Sequence, residues 1–368
     1  MDFLLSINLL LKWLVIFIFG IINYLNFILI FKIFVREKWD AIAYFLVGWG
    51  ISLYLIVHLL YYLLLLIKGF SHEFYIIILV GVIGFNGVFL CWKYSFYQVR
   101  NVIEELKSQF IDLLNFWGIR SYWMKFLFFV VVIVFIAGWL FYLNRKSISE
   151  HDTLEYAVCG KNFCIERTIE YKRVPYNDRT GFYYVGLHGF SFPLIYALEC
   201  MSNDLMNSED LFFRSINSIS GMLIFILIFL SISRHTSKFY SILFAMGYWL
   251  IYSVFETEMK YHIDNFRIML LVFNLFFILK NMSSIFDMRK SFVLGVLMGG
   301  MSNAHSLGFL LSFIIMISLI LSVQKGSFLL KIKRIVFIFL VSILFGGVHY
   351  LLDIFLGTGW LFQSIKFY

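Results

Sequence analysis

Apolar residues in this chain do not alternate with polar ones. They run in blocks, with short charged links between them. Period-two alternation would mark the strands of a barrel, whereas unbroken apolar runs of about 20 residues mark helices long enough to cross a bilayer. Such runs cover residues 8–34, 41–67 (with His58 inside), 74–92, 126–143, 212–232, 239–255, 266–279 and 335–355. The run at 212 has a marked start: Ser208 is a suitable N-cap, and Glu209 and Asp210 follow where the helix dipole favours negative charge.

Two stretches depart from this plan. Between residues 99 and 117, Val99, Val102, Ile103, Leu106, Phe110, Leu113, Leu114 and Trp117 recur at helical spacing. Arg100, Glu104, Glu105, Lys107 and Asp112 fill the other side. This predicts an amphipathic helix, lying either on a membrane surface or against the protein's own cytosolic face. Residues 291–323 are apolar for 33 positions, long for one crossing and short for two complete ones. Gly299, Gly300, Ser302, Asn303 and His305 interrupt the middle. Two shortened helices meeting at 301–305 fit this pattern, with the polar backbone there lining protein or a cavity rather than lipid.

Composition supports the same class. The chain of 368 residues is 61% hydrophobic and 14% charged, against about 25% charged in soluble domains. We therefore expect an all-α polytopic membrane protein with about nine or ten transmembrane helices. It divides into a three-helix N-terminal region with the amphipathic helix (1–125) and a membrane module (126–368). The net charge of +8 points to basic cytoplasmic loops rather than nucleic acid. Basic residues follow the first, third, fifth and seventh spans and residue 323, which places those links inside. The long polar stretch 145–214, the link 256–264 and the C-terminal tail then face outward. The start of the chain does not read as a cleavable signal.

The polar stretch 145–214 holds both prolines, Pro175 and Pro193, and ten of the 22 acidic residues. A long polar loop opening on carboxylates just after a hydrophobic helix points to chemistry at the membrane surface. Cys159 and Cys164 either pair as a disulfide, if the loop faces an oxidising compartment, or remain free thiols. Assembled by topology, the outer face collects Asp152, Glu155, Glu256, Glu258, Lys260, His262, Asp264, Arg267, His305, His349 and Asp353. Ionisable groups at membrane depth are costly and often functional.

Five pieces of the chain, in order from residue 126 onward, resemble the GT-C class of membrane glycosyltransferases, in particular the protein O-mannosyltransferase and aminoarabinose-transferase-like proteins. Asp152, Glu155 and Tyr156 resemble that family's Asp-Glu-x-x-Tyr loop start. His188, Pro193, Leu194 and Tyr196 look like its His/Lys-Pro-Pro-Leu segment. Arg214, Ser218 and Gly221 are similar to its Arg-x-x-Ser-x-x-x-Gly helix. Glu256, Glu258, Lys260 and Tyr261 resemble its acidic-basic-Tyr turn. Residues 295–311 look like its Gly-rich segment with a Lys or His before a Leu run. Three departures stand out: Thr153 replaces the second acid, a single proline replaces the pair, and three helices precede the loop instead of one.

The resemblance implies transfer of a sugar from a polyprenyl-phosphate donor to an acceptor hydroxyl on a glycan, lipid or protein, at the outer face of a bacterial inner membrane. The acceptor oxygen needs a base within hydrogen-bond reach; Asp152 fits, with Glu155 beside it. The departing phosphate needs cations, for which Lys260, Arg267 and His305 are the candidates. His188, Glu258, Tyr261, His349 and Asp353 are further outer-face candidates. A base attacking opposite the leaving phosphate implies inversion. No cofactor is read from the sequence. A divalent metal on His151, Asp152 and Glu155 stays open, although their spacing is no recognised metal pattern. The alternatives are an O-antigen polymerase- or ligase-like enzyme, or a non-enzymatic transporter or scaffold.

Overall fold

The computed structural model describes residues 41–75, 77, 78, 81, 88, 100, 101, 103, 104, 107, 108, 111, 115, 121–145, 151–169, 189–201, 211–233, 236–250, 264–322 and 327–356. Among them the chain is helical, with no strand. Eleven α-helices are named here: α1 Ala41–Leu66, α2 Tyr122–Arg145, α3 His151–Glu166, α4 Ser191–Met201, α5 Leu211–Ile232, α6 Lys238–Leu250, α7 Asp264–Asn281, α8 Met288–Ala304, α9 Ser306–Ser322, α10 Phe328–Ser342 and α11 Val348–Leu356. A π-helical turn, Ile343–Gly347, joins α10 to α11. Among the described residues, Phe266–Ser284 and Phe328–Leu352 are long and apolar enough to cross a membrane. The predicted span at 8–34 lies outside the described residues.

The chain forms two compact units. One comprises residues 1–52, 71–147 and 202–215 and the other 53–70, 148–201 and 216–368. In the first, Ser121 caps α2 by accepting from the Met124 N–H at 3.2 Å, and Tyr122, Trp123, Leu127, Val131 and Val134 are exposed. Arg100, Ile103, Glu104, Lys107, Ile111 and Asn115, within the predicted amphipathic stretch, are helical. An i,i+4 ion pair joins Arg100 to Glu104 at 2.8 Å. Both residues are exposed, so this pair contributes only about 0.5 kcal/mol.

The second unit is built around α8. The long apolar segment 291–323 does fold as two helices, and the interruption falls at His305, whose backbone is extended (φ −167°, ψ 150°). α8 and α9 then pack antiparallel. Ser302 Oγ meets Ser312 Oγ at 3.2 Å, and Gly308 lies on the Met301 backbone. α9 buries its small and slender side, Gly308, Ser312, Met316 and Leu319, and exposes Leu310, Ile314, Ile317 and Leu321. That is the reverse of a water-facing amphipathic helix.

α10 begins earlier than the apolar pattern indicates. Lys331, Lys333 and Arg334, expected in a link, lie within it, because Ser327 starts the helix by accepting from the Leu330 N–H at 3.3 Å. Intrahelical bonding continues through basic residues that keep good helix propensity. Where α10 gives way to the π turn, Gly346 lies directly on the backbone of Gly299 in α8, leaving no room for a Cβ. On the opposite side of α8, Asn274 of α7 donates to the Leu297 carbonyl at 3.1 Å.

Among the described residues of the polar stretch that follows α2, helices α3 and α4 run parallel. Gly160 of α3 rests on the Pro193 carbonyl and Tyr196 of α4, and a disulfide joins Cys164 of α3 to Cys200 of α4. The expected choice for the cysteines was Cys159 with Cys164, or neither. Here Cys164 pairs across 36 positions, and Cys159 is a buried thiol outside the disulfide. The reason is helical geometry. Five residues along a helix amount to about 7.5 Å of rise and 140° of turn, beyond the separation a disulfide spans. Replacing both Cys164 and Cys200 by Ala should lower stability by about 4 kcal/mol on the loop-closure scale, read as a fall in unfolding temperature that excess thiol reductant reproduces in the native chain.

Candidate functional site

The first half of the site is the start of α3. Residues 152 and 156 are one turn apart and share a face. Tyr156 is buried, with its ring edge-on to Phe192 of α4 at 5.5 Å. Its hydroxyl accepts from the Arg267 guanidinium at 3.2 Å. Arg267 stands in the first turn of α7, half-buried behind Phe266, which itself packs on Phe192. Arg267, one of the cations expected to hold phosphate, is thus bonded to α3 one helical turn from residue 152. Thr153 is fully buried; a carboxylate at this position would have to be desolvated.

The second half is the break between α8 and α9. Breaking a helix orphans its last carbonyls and the first N–H groups of the next one, and here the gaps are filled individually. His305 Nδ1 accepts from the Leu307 N–H at 2.9 Å, capping α9. Tyr350 of α11 donates to the Ser302 carbonyl at 2.9 Å. Asn303 Oδ1 accepts from the Phe190 N–H at 3.2 Å, which fixes the entry of α4 onto the break. Gly189, just before, has φ +85° and lies on the Asn303 backbone; both the left-handed conformation and the lack of space require glycine.

The amide of Asn303, oriented by Phe190, presents its Nδ2 to His58 Nδ1 at 3.4 Å. His58 Nε2 in turn donates to the Leu344 carbonyl at 3.0 Å, which also accepts from the Tyr62 hydroxyl. That carbonyl lies in the π turn, whose i→i+5 register displaces the regular i→i+4 partners. His58 and Asn303 are 4% and 1% exposed, so a chain of buried hydrogen bonds runs from α4 through α8 and α1 to the π turn.

Of the predicted site residues, Arg267 is joined to α3, and His305 and His349 are both buried within the second unit. His305 spends Nδ1 on the helix cap, a structural duty the sequence did not indicate. His349 sits in α11 against Phe190, with ring centroids 5.2 Å apart, in the protein core rather than at an open face. Asp152 and Glu155 belong to α3 and Asp353 to α11 by backbone position, and their side chains lie outside the described residues. His188, Glu258, Lys260 and Tyr261 lie outside them entirely. Among the described residues, no group of three or more His, Cys, Asp or Glu could hold a metal ion. The sequence signal missed His58 and Asn303 as partners, since a lone His in an apolar span and an Asn 245 positions later share no motif. No protein-family model matches the chain, and no curated protein or solved structure matches it either.

Proposed function

We propose that this chain is a polytopic membrane glycosyltransferase of GT-C type, moving a sugar from a polyprenyl-phosphate carrier to a hydroxyl on the outer face of a bacterial inner membrane. The observation that carries the reading is the Arg267–Tyr156 hydrogen bond. It draws the cationic end of α7 to the helix that opens on Asp152 and Glu155, so that a proton acceptor and a phosphate-stabilising cation belong to one locality. Asp152 removes the acceptor proton as the acceptor oxygen attacks the anomeric carbon. The bond to phosphate breaks with inversion, and Arg267 and Lys260 balance the charge on the departing polyprenyl phosphate. His305 shapes the far wall at the break.

Two further observations support the membrane arrangement. The Cys164–Cys200 disulfide is at home in an oxidising compartment, in agreement with the basic links that put residues 145–214 outside. The exposed apolar faces of α2 and α9 suit lipid contact. In a background with Cys91 and Cys159 replaced by Ala, a cysteine introduced at Asp178 should react with a membrane-impermeant maleimide on intact cells. One introduced at the exposed Asp287 should react only after permeabilisation; the reverse pattern overturns the orientation.

The activity is tested with purified protein in nanodiscs, supplied with a panel of polyprenyl-phosphate hexoses, N-acetylhexosamines and pentoses and with cell-envelope extract as acceptor. Release of free polyprenyl phosphate together with a glycosylated acceptor is the expected result. Failure to consume any donor of the panel removes the reading.

A further inference from the structure

The start of α10 carries charge where a membrane span is otherwise apolar. Lys331, Lys333 and Arg334 lie in the first two turns of Phe328–Leu352, a stretch long and apolar enough to cross a membrane. In a link these residues would only set orientation. Within the span they stand at the depth of lipid headgroups and need counter-charge there. The neighbouring sequence supplies little of it. From residue 280 to residue 334 the chain has seven Lys and Arg and a single acid, Asp287, and residues 335–352 contain no acid. Negative charge has to reach this end from elsewhere.

The geometry around these cations suits an amphiphile. Arg334 Nη1 donates to Met288 Sδ at 2.6 Å, which ties the foot of α10 to the start of α8. The two helices run parallel from there: Gly295 lies on Ile338 and Val341, and Gly299 on Ser342 and Phe345. Both therefore turn the positive ends of their dipoles the same way. Lys333 is exposed. Further along the same face, at helical spacing, Val336, Leu340 and Leu344 are each more than half exposed. From residue 333 to residue 344 the helix rises about 16 Å, close to half of the roughly 30 Å hydrocarbon core. A cation at the foot of an apolar stripe one leaflet long matches a phospholipid, with phosphate at one end and an acyl chain along the rest. A soluble polyanion would leave the stripe uncovered, and a lipid without net charge would leave the cations uncompensated.

We propose that the foot of α10 binds an anionic phospholipid, with Lys333 and Arg334 on the headgroup phosphate and one acyl chain along Val336, Leu340 and Leu344. Arg289, exposed at the start of α8, strengthens the positive field. In the orientation read from the basic links, the lipid belongs to the cytoplasmic leaflet, whose surface is negative. The site rests on the membrane placement of the chain and uses none of the transferase chemistry, so loss of the transferase reading leaves it standing.

The test is thermal unfolding of the full chain in a neutral detergent, titrated with dioleoyl phosphatidylglycerol, dioleoyl phosphatidylcholine or glycerol phosphate. Phosphatidylglycerol should raise the unfolding temperature saturably, and the other two should not. Lys333→Gln should raise the half-saturating lipid concentration about fivefold, and Lys333→Gln combined with Arg334→Gln about thirtyfold, at about a factor of five per basic residue. Lys333→Arg should keep the native response. So should Lys68→Gln combined with Lys161→Gln, which removes two exposed cations, one just after α1 and one in α3. Arg334 also holds Met288; if its variant fails to fold, Lys333→Gln decides alone. An equal shift with phosphatidylcholine overturns the proposal, since the chains alone would then bind. An equal shift with glycerol phosphate overturns it as well, since the site would then take a free phosphate, and so does the absence of any shift. A phosphatidylglycerol response that Lys333→Gln leaves unchanged, or that the Lys68 and Lys161 pair weakens as much, shows general charge attraction without a site on α10 and likewise overturns it.

Discussion

Asp152→Asn is expected to abolish sugar transfer, by at least ~10²-fold in kcat/KM, with no change in unfolding temperature or membrane insertion. General bases contribute about 10²–10⁴-fold, and the amide keeps the size of the carboxylate while losing its capacity to take a proton. The position argues for a small structural effect. Residue 152 stands in the first turn of α3, before the stretch that Gly160 and Cys164 bind to α4. A carboxylate near a helix N-terminus gains only about 0.3–1 kcal/mol from the dipole. Steady-state transfer measured beside thermal unfolding separates the two effects. Activity within a factor of about three of the native chain would take Asp152 out of the mechanism.

Gly346→Ala should be among the most damaging of the small substitutions for the fold. By helix propensity alone, alanine would stabilise by about 1 kcal/mol. At this position the new methyl would run into the Gly299 carbonyl, and backbone cannot rotate away as a side chain can. α8 must separate from the π turn, which loosens the Leu344 carbonyl from His58 and Tyr62. We expect a net loss of about 3 kcal/mol, at the upper end of overpacking effects, and a fall in unfolding temperature. Gly247→Ala on α6 is the matched control: nothing lies within 4 Å of its added Cβ, and it should be neutral or slightly stabilising. Similar unfolding temperatures for the two variants would show that the close approach of Gly299 and Gly346 does not limit the packing.

The helices were legible because each apolar run is a local property of the chain. The run at 212–232 appears as Leu211–Ile232, and the one at 266–279 as Asp264–Asn281. The break at His305 was legible for the same reason: a stretch too long for one helix carried glycine, serine, asparagine and histidine in its middle, and the interruption falls among them. The start of α10 was misjudged because Lys331, Lys333 and Arg334 are polar yet good helix formers, and hydropathy does not distinguish a basic helical turn from a link.

Other features depend on distances that hydropathy does not encode. The pairing of Cys164 with Cys200 follows from α3 and α4 running parallel, which spacing within α3 cannot reveal. The π turn leaves no mark in composition beyond Gly346 and Gly347. His349, expected at an outer face, is instead buried against Phe190 and Tyr350.

The sequence by itself determined that the chain is helical, where most of its helices run, that one of them is broken, and which polar stretch carries early carboxylates. Those properties come from apolar periodicity, propensity and local chemistry, all read within one or two helical turns. Only the tertiary structure decided which polar groups meet: Arg267 with Tyr156, Asn303 with Phe190 and His58, and His58 with the Leu344 carbonyl. Once buried, each of those groups must find a partner or forfeit about 1–3 kcal/mol. The packing of helices hundreds of residues apart determines which partner is within reach.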